Sequence, residues 1–270
     1  MYFTLKNKPI GVFDSGLGGL TAVKELMKIL PDEDIIYFGD SSRVPYGSRS
    51  ESTIIKYTKQ DISFLQSFDI KIILSACGTV SSVALPRIGD TKIPVVGVVQ
   101  PAAKAAAAAT KNKKIGIIGT EGTIASGAYE KAVLEIMPDA HITTKACPMF
   151  VPLVENGYGN HPAAEMIARE YLEDIIKNGA DTIILGCTHY PLLRDIIQKI
   201  TGDAVTLIDA GKAAADYVKL LLENDGLLCD KRQADYSFYT SDLTKRFSEI
   251  AQLFLGREIG ESKLVDIEKY

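Results

Sequence analysis

Histidine and cysteine are scarce in this 270-residue chain, which has three histidines and four cysteines. No two cysteines are separated by two residues, and the histidines are scattered, so the ligand spacing of a zinc site is missing. Cysteines in a chain without a secretion context are expected to be reduced thiols rather than disulfides. The sequence therefore predicts neither a metal centre nor a disulfide framework.

An excess of one charge is also missing. Lysine and arginine number 30, aspartate and glutamate number 34, and the formal net charge is −4. This balance gives no electrostatic case for binding nucleic acid or an anionic membrane. No apolar run approaches the roughly 20 residues that cross a bilayer, and the first residues lack the pattern of a secretion signal. We expect a soluble, cytoplasmic protein with no nucleic-acid or membrane partner.

Short apolar runs alternate with helical patterns along the chain. The strand-like runs include PIGVFDS, EDIIYFGD, IKIILSA, IPVVGVV, KKIGIIGT and DTIILGCT. Nearly continuous apolar strands separated by helices predict an α/β fold with parallel strands covered on both faces. The alanine-rich segment 101–114 is expected to be a helix, because alanine is the best helix former. Segment 236–256 predicts one more strand and one more helix.

The chain also repeats its own plan. KPIGVFDSGLGGLTAVKEL, from Lys8, resembles KKIGIIGTEGTIASGAYEKAV, from Lys113. This similarity predicts two α/β lobes, with residues 1–98 and 211–270 in the first and residues 99–210 in the second. Ligands bind at the carboxyl ends of parallel strands, so we expect one site in the cleft between the lobes.

Two of the four cysteines end matching apolar runs, Cys77 in IILSACGTVSS and Cys187 in TIILGCTHYP. A helix expected to begin after each of them would favour the thiolate and lower the thiol pKa toward neutrality. A single cysteine there could be a small core residue, but two at matching positions indicate a pair of acid/base groups. Cys147 and Cys229 lack this setting and are predicted to be structural. His189 could orient or polarise Cys187, although a core or surface role stays open.

Other polar residues follow the predicted strands, and most of them are neutral donors. They are Ser15 beside Asp14 in FDSGLGG, Tyr46 and Gly47 in VPYGS, Thr120 and Thr123 in GTEGT, Thr79 and Thr188. Arg43 is the only cation near these motifs, and VPYGS could equally be a plain turn. FDSGLGG lacks the spacing of a dinucleotide fingerprint, but its N–H groups could hold a carboxylate. A small amino acid or dicarboxylate fits this lining better than a polyphosphate.

Two facing thiols suit one reaction in particular, the inversion of a stereocentre by proton exchange. A thiolate on one face removes the proton, and a thiol on the other face returns one. Hydroxyl and N–H donors would neutralise the charge that builds on the α-carboxylate. No lysine stands in a motif typical of a Schiff base, so no organic cofactor is expected.

Taken together, these motifs resemble the glutamate racemase family of the aspartate/glutamate racemase superfamily. The resemblance rests on GVFDSGLGGLTAVKEL, YFGDSSRVPYG, SACGTVSS, GVVQPA, IGIIGTEGTIASGAY, CPMFVPLVENG and LGCTHYPLL, which occur in the same order and are spread over residues 11–193. It implies two flavodoxin-like, doubly wound lobes with pseudo-two-fold symmetry and an active site between them. It also implies cofactor-independent interconversion of L- and D-glutamate, which supplies D-glutamate for peptidoglycan and so for the cell wall and cell shape, in a homodimer.

The resemblance implies the site residues as well. Cys77 and Cys187 would be the two acid/bases, assisted by Asp14 and His189, while Asp40 and Glu155 match further acidic positions of the family. The substrate would be lined by Asp14, Ser15, Pro45, Tyr46, Gly47, Gly78, Thr79, Thr120, Thr123, Thr188 and His189.

One position departs from the family pattern, since Gly78 stands where the family has asparagine between the cysteine and the threonine. Losing a polar contact to a charged group would cost about 1.5–3 kcal/mol. We therefore expect Gly78→Asn to tighten glutamate binding or leave it unchanged. Four alternatives stay open: a racemase of another amino acid such as aspartate, a one-cysteine decarboxylase or isomerase, a Cys187–His189 hydrolase, and a non-catalytic binding protein.

Overall fold

Two parallel sheets form the framework of the computed structural model, which describes residues 5–230, 233–244 and 247–270. The strands of these ranges are β1 (Ile10–Asp14), β2 (Ile35–Gly39), β3 (Ile72–Ser75), β4 (Val95–Gly97), β5 (Lys114–Gly119), β6 (His141–Ala146), β7 (Thr182–Leu185), β8 (Thr206–Asp209), β9 (Tyr236–Thr240) and β10 (Ser262–Leu264). The predicted strands are present, and β6, β8 and β10 are additions that the sequence analysis did not include.

Strand order is the same in the cores of the two sheets. The six-stranded sheet has the order β10-β9-β2-β1-β3-β4, and the four-stranded sheet has the order β6-β5-β7-β8. In each, the first strand in sequence pairs in parallel with the second on one side and the third on the other. This 2-1-3-4 order is that of flavodoxin-like sheets. The predicted α/β class with two doubly wound lobes is confirmed.

Helices cover both sheets. Their bounds are α1 (Leu20–Ile29), α2 (Glu51–Gln66), α3 (Val99–Ala109), α4 (Glu121–Ala125), α5 (Ala128–Ile136), α6 (Phe150–Glu155), α7 (Pro162–Lys177), α8 (Arg194–Thr201), α9 (Ala210–Asn224) and α10 (Phe247–Leu255). Polar caps fix several of these starts: the Ser50 side chain accepts from Thr53 N before α2, and Asp209 accepts from Lys212 N before α9. Gly179, at φ 73°, follows the end of α7 in the left-handed conformation that favours glycine after a helix.

The strands divide by sequence between the two sheets. The first sheet uses strands between residues 10 and 97 and between 236 and 264, while the second uses strands between 114 and 209. The lobe boundaries at residues 98/99 and 210/211 stay a prediction. One apolar cluster joins the lobes, with Leu20 and Val23 of α1, Ala102 of α3 and Val218 of α9 all completely buried. No helix of the described residues is long and apolar enough to span a bilayer.

Candidate active site

Four loops at the carboxyl ends of strands meet at one cavity of about 450 Å³. Ser15 follows β1 and Cys77 follows β3 in the first sheet, whereas Thr120 follows β5 and Cys187 follows β7 in the second. Cys77 and Cys187 both line this cavity, although Cys77 is 5% and Cys187 9% exposed. The cavity is therefore lined by one cysteine from the end of a strand in each sheet.

Most of the predicted site residues line this cavity. They are Ser15, Pro45, Tyr46, Gly47, Cys77, Gly78, Thr79, Thr120, Cys187, Thr188 and His189. Asp14 and Thr123 lie behind the lining. Thr123 Oγ1 is 2.9 Å from Thr120 Oγ1 and 3.5 Å from Thr79 Oγ1, so it supports two lining hydroxyls.

The environment of Cys77 differs from the sequence expectation. Its thiol donates to Ser15 Oγ at 3.5 Å, and Val80 N donates to the sulfur at 3.5 Å. A short irregular helical segment follows it, with a π-helix over Val80–Ala84 and a 3-10 helix over Leu85–Arg87. Burial raises the pKa of Cys77 to about 12, and the negative charge of Asp14 adds to the rise. The expected lowering of this pKa by a helix N-terminus is wrong, because loss of solvation outweighs the local N–H donors.

Asp14 ends β1 and is fully buried beneath the Cys77 loop. Its Oδ2 accepts from Gly16 N at 3.1 Å and from Gly19 N at 3.0 Å, while Oδ1 has no hydrogen-bond partner. Burial raises the pKa of Asp14, although the positive charge of His189 and the N–H groups oppose the rise. Asp14 thus adds a carboxylate to the electrostatics of both cysteine loops without touching the cavity.

Cys187, His189 and Glu155 form a chain on the second-lobe side. His189 Nδ1 lies 3.9 Å from Cys187 Sγ and 3.3 Å from Thr188 Oγ1, and Nε2 lies 2.9 Å from Glu155 Oε1. Burial acts to lower the pKa of His189, but the hydrogen bonds to Cys187 and Glu155 outweigh it and raise the pKa to about 10. An imidazolium at this position can donate to a thiolate at Cys187.

Arg43, the cation expected near the site, forms ion pairs with carboxylates of the first lobe. Its Nε lies 2.6 Å from Asp40 Oδ2 and its Nη2 lies 3.2 Å from Asp61 Oδ1, while Nη1 reaches Glu268 at 3.1 Å. The Tyr46 hydroxyl donates to Asp40 and Asp61. This buried network holds the loop that carries Pro45 and Gly47, and Arg43 itself does not line the cavity.

Part of the second-lobe wall is absent from the sequence-based prediction. This wall comes from the β6–α6 segment and the α4 start, and its unpredicted residues are Glu121, Cys147, Pro148, Val151, Pro152 and Asn156. Glu155, which the family resemblance had indicated as an acidic position, lies in the same wall. Cys147 was expected to be structural. It does border the cavity, but it is fully buried, its thiol donates to Lys145 O at 3.7 Å, and burial raises its pKa. The motif CPMFVPLVENG held the signal for most of this wall, and GTEGT held the signal for Glu121.

Gly78 is packed too tightly for the expected benefit of an asparagine. A Cβ at this position would overlap the carbonyl oxygen of Gly186 and lie 3.1 Å from the carbonyl carbon. The obstacle is backbone, which cannot rotate away like a side chain. The expectation that Gly78→Asn tightens binding or leaves it unchanged is therefore opposed by the structure.

Comparison with known proteins decides the family. The sequence pattern of Asp/Glu/Hydantoin racemases matches residues 20–218. The chain belongs to this family. It is 45% identical over 263 residues to the glutamate racemase of Geobacter metallireducens and 46% identical over 262 residues to that of Chlorobaculum tepidum, with 97% and 96% of each chain covered.

A solved structure agrees with this assignment. The crystal structure of glutamate racemase from Francisella tularensis in complex with D-glutamate superposes with a TM-score of 0.93 at 37% identity, covering 98% of this chain and 100% of that one. The resemblance seen in the sequence and the class of enzyme, an amino-acid racemase, are confirmed.

Proposed function

We propose that this racemase interconverts L- and D-glutamate with Cys77 and Cys187 as its two acid/base groups. The observation that carries the proposal is the single cavity bordered by one thiol from each sheet. A planar carbanion can be reached from two faces, so a base and an acid on opposite walls invert the centre without turning the substrate over.

The proton transfers balance without any further reactant. One sulfur, as thiolate, takes the α-proton, and the electron pair moves into the α-carboxylate to give an enediolate. The opposite sulfur, as thiol, then delivers its proton to the other face. Burial favours the thiol at Cys77, and the His189 imidazolium can donate to a thiolate at Cys187. Each turnover exchanges the protonation states of the two sulfurs, so no group is oxidised and no cofactor is consumed.

Glutamate is the substrate that the relatives' names and the lining favour. The relatives at 45% and 46% identity are glutamate racemases, and the Francisella structure holds D-glutamate. Among the described residues that line the cavity, none is lysine or arginine. Carboxylates would be bound by backbone N–H groups and by the hydroxyls of Ser15, Thr79, Thr120 and Thr188. Such fixed neutral donors stabilise the charge that develops in the enediolate.

The same proposal covers the cellular role that the resemblance implies. The enzyme would act in the cytoplasm, without a cofactor, as a homodimer, and its D-glutamate would enter peptidoglycan. Because Gly78 replaces the family's asparagine, the experiment also tests aspartate as a second substrate.

The deciding experiment incubates the enzyme with D-glutamate in deuterated water. NMR follows the deuterium at the α-carbon, and circular dichroism follows the conversion of D- to L-glutamate. We expect inversion accompanied by deuterium at the α-carbon, and a lower kcat/KM in a parallel assay with D-aspartate. Release of ammonia or CO2, or a preference for aspartate, would contradict the proposed reaction or its substrate.

A further inference from the structure

The two cysteine loops touch each other through backbone atoms. Gly78 follows Cys77, and Gly186 precedes Cys187. A Cβ on Gly78 would overlap the Gly186 carbonyl oxygen, so only glycine fits at this position without movement. The residue next to one thiol thus lies directly against the residue next to the other.

Neither backbone is free to yield locally. Gly186 N donates to Ile118 O at 2.8 Å, and behind Gly186 the Tyr129 ring leaves only 3.2 Å for a Cβ. On the other side, Ala76 N donates to Phe13 O at 2.9 Å, and Ser81 N donates to Cys77 O at 3.0 Å. Both loops are therefore tied to their own sheets. An added methyl group at Gly78 has to be relieved by moving one lobe away from the other.

The neighbouring contacts between the lobes are of a kind that can lengthen. Thr79 Oγ1 lies 2.9 Å from Thr120 Oγ1, and Gly122 N donates to Gly47 O at 3.0 Å. These are single hydrogen bonds between loops, each with a modest net contribution to stability of about 0.5–1.5 kcal/mol. They would stretch before either sheet is disrupted.

We propose that Gly78 is a positioning residue that sets the width of the cleft, and with it the separation of the two sulfurs, by allowing the Cys77 loop to rest on the Gly186 carbonyl. The inference rests on the proposed two-thiol reaction. Proton transfer depends steeply on distance, and a misplacement of about 1 Å can cost on the order of a hundred-fold in rate. A wider cleft is expected to weaken catalysis more than binding, because proton exchange needs both sulfurs at once, whereas each lobe keeps its own hydroxyl donors for a carboxylate.

The kinetic test compares Gly78→Ala with Gly11→Ala. Gly11 is also crowded, with 2.8 Å between a Cβ and Ile70 Cδ1, but it lies inside the first sheet, away from the cleft. We expect kcat of Gly78→Ala to fall at least ten-fold with a KM change under three-fold, and Gly78→Asn to lose more. The Gly11→Ala enzyme should keep its kcat while melting earlier. A Gly78→Ala enzyme with parental kcat, or one that does not fold, overturns the proposal.

A second measurement reads the cleft without activity. A series of bifunctional thiol reagents with increasing spacer length is applied, and peptide mass mapping identifies the Cys77–Cys187 link. The parent should be linked best by a short spacer and Gly78→Ala by a longer one, whereas the same optimum in both overturns the inference. If the parent links but does not racemise glutamate, the proposed function fails and the role of Gly78 in cleft width is still decided by the spacer series.

Discussion

Glu155 Oε1 lies 2.9 Å from His189 Nε2, and the opposite ring nitrogen of His189 faces Cys187 Sγ at 3.9 Å. The carboxylate therefore acts on the sulfur through the imidazole. It fixes the ring and favours its protonated form, and it is 39% exposed at the cavity wall while His189 is 8% exposed. A carboxylate in this arrangement controls both the orientation and the charge of the histidine.

The first prediction concerns this pair. Glu155 raises the pKa of His189, so Glu155→Gln should lower that pKa from about 10. The alkaline limb of the kcat/KM profile, which we expect near pH 10 in the parent, should move to lower pH. The free energy of unfolding should change with pH in a corresponding way. The stabilisation from the raised histidine pKa is fully present below pH 6.5 and is lost as pH rises through 10, so Glu155→Gln should reduce it. Glu170→Gln, an exposed change on α7, is the control and should move neither curve.

The two thiols give the second prediction. Cys77→Ala and Cys187→Ala should each abolish racemisation of glutamate while the circular dichroism spectrum and urea midpoint stay close to those of the parent. Cys229→Ala is the matched control, because this thiol lies outside the cavity, and it should remain active. Near-parental racemisation by either of the first two variants would refute the two-base assignment.

Asp14 gives a prediction on pH and stability. Its pKa is raised in the folded state above the ordinary value of 3.8, so the folded protein holds a proton that the unfolded chain releases. The resulting stabilisation is present at low pH and lost as pH rises from about 3.8 through the folded pKa. Between pH 4 and pH 7, Asp14→Asn should therefore lose less unfolding free energy than the parent, measured in urea. If the parent and Asp14→Asn lose the same unfolding free energy between pH 4 and pH 7, the pKa of Asp14 is not raised by folding.

The buried network at Arg43 gives the fourth prediction. Arg43→Ala leaves Asp40 and Asp61 together, both fully buried, and burial together with the charge of Asp40 already raises the pKa of Asp61. Removing one partner of a buried pair costs about 3–5 kcal/mol, so the urea midpoint should fall sharply. Lys56→Ala removes another partner of Glu268, but Lys56 is 63% exposed, and its loss should cost under about 1 kcal/mol. Equal losses of stability in Arg43→Ala and Lys56→Ala would contradict a stabilising role of the buried network.

Sequence patterns predicted the fold well because strand periodicity and the internal repeat are local signals. The positions of Cys77 and Cys187 at strand ends, and so their common cavity, follow from that pattern. The pKa of Cys77 could not be predicted in the same way, since it depends on how deeply the folded protein buries the thiol. Tertiary packing also decides two contacts between residues that are distant in sequence. One is the ion pair of Arg43 with Glu268, and the other is the contact between Gly78 and Gly186.

The pairing of β2 with β9 has a consequence for biosynthesis. Tyr236–Thr240 joins the first sheet only after the whole segment that forms the second sheet has left the ribosome. Until then β2 presents an unpaired edge, the kind of surface that recruits other chains. During translation the second sheet can be completed before β9 is made, and we expect the nascent chain to be prone to aggregation until β9 covers β2.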